Sequence, residues 1–179
     1  GKYKANNIIT VLTAIQILNQ FGFNFTNKQI KYALKNTQHI NPILGRWQQL
    51  DSNPLLVVDV AHNAHGVVQV IEQFAFYNYN KLHIIMGLSK DKNIEEILKL
   101  LPKKAGYYFT KANLPRALDE IELTNQASNF SLTGNHYKNV HNAVKIAQKN
   151  ATKKDLILIM GSIFLVGEFL QKYMKKNLK

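Results

Sequence analysis

Residues 55–66, Leu55-Leu56-Val57-Val58-Asp59-Val60-Ala61-His62-Asn63-Ala64-His65-Gly66, constrain this chain more than any other stretch. Four apolar residues ending in an aspartate are too short a run for a core helix and read as a buried strand. The polar residues from Asp59 to His65 then fall at its carboxyl end. Val67, Val68, Val70, Ile71 and Phe74 follow at helical spacing, so a helix begins near Ala64. A strand feeding a helix through a polar turn is the unit of an open α/β sheet, where ligands bind outside the carboxyl ends of the strands. An aspartate, two histidines and an asparagine at such a turn are site candidates.

The pattern repeats downstream. Strands are expected at Arg46–Leu50, Leu55–Asp59, Leu82–Met86, Gly106–Phe109 and Leu156–Met160, and Ser131-Leu132 offers a further short one. Helices are expected at Ala64–Tyr77, Asn93–Leu100, Leu118–Ala127, Val140–Asn150 and Ile163–Lys175. Alternation with short loops predicts a mostly parallel, twisted sheet with helices on both faces, a three-layer Rossmann-like α/β fold.

The first 40 residues differ. Ile8, Leu12, Ile15 and Leu18, widened by Ile9, Val11, Ala14 and Ile17, describe a well-buried helix from about Asn6 to Phe21, with Gly22 at its C-cap. Thr26 or Asn27 caps a second helix near Lys28–Asn36, and Asn41-Pro42 breaks the pattern. Two consecutive helices do not open an alternating sheet, so a boundary is expected at about residues 37–43.

Composition narrows the function classes. No apolar run reaches the ~20 residues that span a bilayer, and no signal peptide opens the chain, so no membrane role is expected. The absence of cysteine excludes disulfides and thiolate metal sites and fits the cytoplasm. The formal charge of +12 comes from dispersed lysines, without a dense basic-aromatic cluster before the tail, so no nucleic-acid partner is expected. A positive field would still attract polyanionic substrates. No Gly-x-x-x-x-Gly-Lys-(Ser/Thr) phosphate loop, no HExxH and no Gly-x-Ser-x-Gly occurs.

Each candidate residue has a structural alternative. Asp59 either caps its turn or accepts hydrogen bonds from ribose hydroxyls. Arg46 and Arg116 are the only arginines in a lysine-rich chain, which points to a planar fork gripping phosphate or carboxylate; an ordinary ion pair is the alternative. His62 and Asn63 lie near a helix amino terminus that favours anions, though a histidine there often just bonds backbone. Ser162, after Gly161, either caps the next helix or borders the site. Lys90-Asp91-Lys92 is a solvated turn or brings a lysine to a substrate carboxylate.

Asp59-Val60-Ala61-His62-Asn63-Ala64 resembles the Asp-x-Ala-His-Asn-Pro signature in the C-terminal domain of Mur-type ATP-dependent amide ligases. Gly45-Arg46-Trp47-Gln48, Met86 to Lys92, Pro115-Arg116-Ala117 and Gly161-Ser162-Ile163-Phe164-Leu165-Val166-Gly167-Glu168 narrow the resemblance to the folylpolyglutamate synthase/dihydrofolate synthase branch. Ala64 replaces the usual proline and Val60 the common glycine. The resemblance implies that residues 1–40 end a central ATPase domain and that 41–179 form the C-terminal, glutamate ligase domain of a monomeric enzyme. It implies that this chain is a fragment, inactive without a P-loop domain in cis that carries the magnesium ligands. ATP, L-glutamate and folate or dihydropteroate are the implied partners. Arg46, Asp59 and Asn7 would contact ATP, Asn7 closing a Tyr-Gln-x-x-Asn match in which Lys4 departs from the pattern; a helix N-cap is the plain alternative for Asn7. His62 and Ser162 would be catalytic, Asn63 and Arg116 substrate-binding, and no metal ligand is expected in the chain. A peptidoglycan Mur-type ligase is the alternative within the superfamily, argued against by the Gly-Ser-Ile-Phe-Leu-Val-Gly-Glu and Pro-Arg-Ala segments. A non-catalytic nucleotide- or RNA-binding module is the alternative outside it.

Overall fold

The structure is a computed structural model that describes residues 3–41 and 43–177. The chain divides into two compact units after Leu44.

The first unit contains α1 (Tyr3–Gln20), α2 (Asn27–Lys35) and the single turn α3 (Thr37–Ile40). α1 ends in a Schellman motif: Gly22 adopts φ 95°, its N–H donates to Asn19 O, and Phe23 N–H donates to Leu18 O. Thr26 and Gln29 form a reciprocal capping box for α2. The burial expected for α1 is not found. Ile8, Ile9, Val11, Leu12, Ile17 and Leu18 are all exposed, and Ile9 is 63% accessible. Its apolar residues occupy every face, and α2, with no buried residue, cannot cover them.

The second unit is a six-stranded sheet in the order β1-β2-β6-β3-β4-β5. Its strands are β1 (Gln48–Ser52), β2 (Leu55–Val58), β3 (Leu82–Met86), β4 (Gly106–Phe109), β5 (Gly134–His136) and β6 (Leu156–Met160). All neighbours are parallel except the antiparallel edge pair β1 and β2. The helices are α4 (Ala64–Phe74), α5 (Ile94–Leu100), α6 (Glu120–Ser128), α7 (Val140–Asn150) and α8 (Ile163–Asn177). Strand side chains alternate between two cores. Val57, Ile84, Met86 and Leu158 join Val67, Ile97 and Leu123 of α4, α5 and α6. Leu56, Val58, Ile85 and Ile159 join Val144, Leu165 and Phe169 of α7 and α8 on the other face. Every residue of β3 and β6 is buried, as expected of central strands covered on both sides.

Residues 131–132 form no strand. Ser131 adopts φ 60°, Leu132 N–H donates to Ala127 O behind α6, and the Leu132 side chain plugs the core, so the strand begins only at Gly134.

This topology creates two crevices. β2 and β6 are neighbours, yet the chain leaves β2 for α4 on one face and β6 for α8 on the other. β4 and β5 diverge likewise, toward α6 and α7. Ligands bind where neighbouring strands part to opposite faces.

Candidate functional site

The first crevice gathers most of the expected residues. Asp59, 9% exposed, extends β2 and accepts two backbone hydrogen bonds, from Trp47 N and Ala61 N, both at 2.8 Å. Burial pushes its carboxyl above the usual carboxylate range, against the opposing pull of the Ala61 and Trp47 amides and of Arg46. The structural reading is what the hydrogen bonds show: Asp59 caps its own turn and ties down the Gly45–Trp47 segment.

That segment is bent sharply. Gly45 has φ 76° and Trp47 φ 43°, a left-handed conformation that bulky residues rarely adopt. A Cβ on Gly45 would lie 2.7 Å from Val60 Cγ1, so only glycine fits against the β2 turn. Gly45 O accepts from Val60 N at 2.7 Å, and Gly45 N donates to Gln48 Oε1 at 2.9 Å. The Trp47 ring packs against Phe74 and Tyr77, and its Nε1 donates to Tyr77 Oη at 2.7 Å. Arg46 is exposed and makes no ion pair or hydrogen bond with any described residue.

His62 Nδ1 lies 2.9 Å from Val60 O. A carbonyl can only accept, so Nδ1 carries a proton and donates a hydrogen bond to Val60 O. Asn63 is the N-cap of α4, its Oδ1 accepting from Gly66 N at 2.8 Å, which leaves its NH2 group unengaged among the described residues. Gly161 N donates to Ala61 O, docking the β6–α8 turn beside the β2 turn. Gly161 has φ 105°, and a Cβ there would sit 2.5 Å from Gly87 O. Ser162 is buried, and its hydroxyl accepts from Phe164 N at 3.2 Å, capping α8.

The second crevice is a cleft of about 570 Å³ between the β3, β4 and β5 ends and α8. Lys90, Lys111, Asn113, Lys138 and Glu168 are among its walls. Lys111 is committed to Asp119 at 2.7 Å and Glu120 at 2.6 Å, and these partners raise its pKa. Glu168, the last residue of the 161–168 segment, accepts from Asn113 N at 3.0 Å and so fastens the 112–115 loop to α8. Lys90 and Lys138 form no ion pair among the described residues. Arg116 does not line this cleft; its guanidinium stacks 4.4 Å above the Phe164 ring, two residues beyond Ser162.

Arg46, Asp59, His62, Asn63 and Ser162 therefore share one end of the sheet. Asn7 is not among them: it lies inside α1 of the first unit, exposed and four residues past the start of the helix, so it is not an N-cap. Trp47 and Glu168 stood inside the recognised segments without being singled out. Tyr77 carried no local signal, because its partner lies 30 residues away. Among the described residues no group of three His, Asp or Glu side chains could hold a metal ion, and no helix is long and apolar enough to cross a membrane.

Polar groups at the strand-divergence points of a parallel sheet define a doubly wound α/β ligand domain. More narrowly, the chain belongs to the Mur ligase family: residues 45–163 match the model of the Mur ligase, glutamate ligase domain. It is 27% identical over 164 residues to a dihydrofolate synthase/folylpolyglutamate synthase of Buchnera aphidicola subsp. Schizaphis graminum, covering 88% of this chain and 37% of that protein. Its fold matches a folylpolyglutamate synthase of Mycobacterium tuberculosis complexed with ADP and AMPPCP, with TM-score 0.84, 21% identity, and coverage of 97% of this chain and 40% of the other. A bifunctional folylpolyglutamate synthase/dihydrofolate synthase with Mn, AMPPNP and L-glutamate bound matches at TM-score 0.78 and 23% identity, over 90% of this chain and 38% of the other. The chain spans about two fifths or less of the length of these relatives.

Proposed function

We propose that this chain works as the glutamate ligase domain of an ATP-dependent ligase that joins L-glutamate to folate or dihydropteroate. The observation that carries this reading is Arg46, whose exposed guanidinium makes no ion pair or hydrogen bond among the described residues and whose charge acts on the buried Asp59 carboxylate at the carboxyl edge of the sheet. A planar fork suits phosphate, and a carboxylate at a strand end suits ribose hydroxyls. Relatives with AMPPNP, ADP and L-glutamate bound support the same assignment.

In this reading ATP phosphorylates the acceptor's carboxylate. The amino group of glutamate attacks the acyl phosphate, the carbon–oxygen bond to phosphate breaks, and an amide, ADP and phosphate result. Arg46 steadies the nucleotide phosphates and Asp59 its ribose. His62, in the neutral form that carries its proton on Nδ1, receives a hydrogen bond from the incoming amine and orients it. The Asn63 amide and the Arg116 guanidinium face the amino-acid substrate. Ser162 holds the start of α8 at the reacting edge. Magnesium accompanies the nucleotide, and no described residue is assigned to it.

Residues 1–40, by the same reading, complete a central ATPase domain, and the exposed apolar faces of α1 support that assignment. The phosphate loop would belong to that domain. Closure over ATP would exclude water, which otherwise hydrolyses the acyl phosphate. The enzyme is assigned to the cytoplasm as a monomer.

The test is to supply the complete polypeptide carrying these residues with ATP, magnesium and labelled L-glutamate, offering dihydropteroate and a reduced folate separately. Amide formation coupled to ADP release with either acceptor is the expected result. Turnover only with a muramyl-peptide acceptor would move the chain to the cell-wall branch, and silence with all three would overturn the ligase reading.

A further inference from the structure

We propose that Tyr77 is a positioning residue for the Arg46 guanidinium, acting through the indole of Trp47. The inference rests on the nucleotide reading above and adds to it a residue outside every recognised segment.

Arg46 makes no hydrogen bond or close ion pair among the described residues, so the backbone that carries it sets where its side chain starts. That backbone is bracketed by two left-handed residues, Gly45 at φ 76° and Trp47 at φ 43°. Glycine adopts such a conformation freely, but an aromatic residue holds it only where its surroundings over-determine it. Three restraints come from the immediate neighbourhood: Asp59 on Trp47 N, Val60 on Gly45 O, and Gln48 on Gly45 N. The fourth comes from a distant segment. The turn after α4 brings the Tyr77 hydroxyl to within 2.7 Å of Trp47 Nε1, and the indole lies against Phe74 and Tyr77 at centroid separations of 5.9 and 5.4 Å.

The first three ties hold the main chain, whereas Tyr77 alone holds the Trp47 side chain by a hydrogen bond. An indole has one donor and no acceptor, and half-buried against apolar rings it needs that donor matched. Without the Tyr77 hydroxyl the indole reaches water most easily by swinging away from the α4 side. Trp47 then relaxes toward negative φ, and Arg46 moves with it. Gly45 and Asp59 fix where the loop begins; Tyr77 fixes its twist.

Tyr77→Phe deletes the hydroxyl and keeps the ring. Mg-ATP binding is measured by calorimetry on the complete polypeptide carrying these residues, for the unsubstituted protein, Tyr77→Phe, Arg46→Ala and the double variant. Trp47 is the only tryptophan in residues 1–179, so the emission of that chain reports this loop alone. We expect Tyr77→Phe to weaken ATP binding about fivefold, the scale of one ordinary hydrogen bond. Arg46→Ala should weaken it about tenfold or more, and the double variant should bind no more weakly than Arg46→Ala alone. Trp47 emission should move to longer wavelength in Tyr77→Phe without nucleotide. Unchanged affinity in Tyr77→Phe overturns the proposal, as does a further fivefold loss in the Arg46→Ala background, which a general structural role would give. If Tyr77→Phe fails to fold, Trp47→Phe deletes the other half of the bond and must reproduce the fivefold loss. Failure of the unsubstituted complete polypeptide to bind ATP overturns the nucleotide reading together with this one. Loss in Arg46→Ala with no loss in Tyr77→Phe overturns this one alone.

Discussion

Asp59 follows β2 at the carboxyl edge of the sheet, Asp155 precedes β6 at the amino edge, and the two strands are hydrogen-bonded neighbours. Both carboxylates are nearly buried, at 9% and 4% exposure. Both join separate segments through backbone amides: Trp47 and Ala61 for Asp59, Thr152 and Lys81 for Asp155. Their acidities nevertheless move in opposite directions. Burial is the largest influence on each and raises both. At Asp155 the Thr152 backbone and hydroxyl, His83 and the Lys81 amide together outweigh it, and the net pKa falls below the usual carboxylate range. At Asp59 two amides and Arg46 do not outweigh it, and the pKa rises.

The difference separates a structural lock from a site. Asp155 ends a chain of polar groups: Asn150 Nδ2 donates to Tyr108 Oη, which faces His83 Nδ1 at 3.0 Å, while His83 Nε2 approaches Asp155 at 3.5 Å. The Asp155 carboxylate itself is taken up by backbone amides and by the approach of His83, with no lysine or arginine paired to it among the described residues. Around Asp59 the donors are fewer and one cation is uncommitted, which fits a site that a ligand completes.

The largest expected effect comes from breaking the lock. Asp155→Ala strands two amides and removes the partner of a buried histidine, so it should cost about 3 kcal/mol of stability. Asp59→Ala releases two amides at a more accessible edge and should cost about 1–2 kcal/mol, with about a tenfold loss of ATP affinity that Asp155→Ala does not share. Denaturant midpoints alongside nucleotide titrations test both. If Asp59→Ala proves the more destabilising and leaves nucleotide affinity intact, the contrast is reversed.

Ser162 offers a middle-sized test. Its hydroxyl is engaged as the cap of α8, so Ser162→Ala should cost about 1 kcal/mol. Ser162→Asp restores a capping acceptor and should recover the stability lost. If turnover of the complete ligase falls far more than stability in Ser162→Ala and stays low in Ser162→Asp, the hydroxyl has chemistry beyond capping.

The sheet was legible because β3 and β6 are continuous apolar runs and the α4 and α7 stripes repeat at helical spacing; their boundaries fell within a few residues of those expected. The Ser131-Leu132 segment misled because a plugging leucine and an edge-strand leucine look alike locally. α1 misled in another way: periodicity reports that an apolar surface exists, not what covers it. At the site, Asp59, His62 and Asn63 announced themselves by clustering within five residues. The roles of Tyr77 and of the Glu168–Asn113 tie depend on partners 30 and 55 residues away, and no local pattern encodes such a pairing.

The smallest expected effect is in the pH dependence of stability, and it sharpens the contrast most directly. Burial lowers the His83 pKa below its ordinary 6.5, with Asp155 only partly offsetting it. Its contribution is therefore complete above about pH 6.5 and is lost as pH falls through the depressed folded value, because the unfolded histidine takes up the proton first. Asp155 acts in the same direction lower down, complete above 3.8 and lost as pH falls through its own depressed value. Asp59 has the opposite sign. Its folded pKa exceeds 3.8, so the folded chain binds the proton more tightly and stability falls as pH rises through that window. In urea titrations between about pH 3 and 7, His83→Gln should flatten the acid-side loss just below pH 6.5, whereas Asp59→Asn should steepen the loss above pH 3.8. Parallel shifts with no change of slope would mean that neither group titrates with folding, and the distinction between lock and site would then rest on geometry alone.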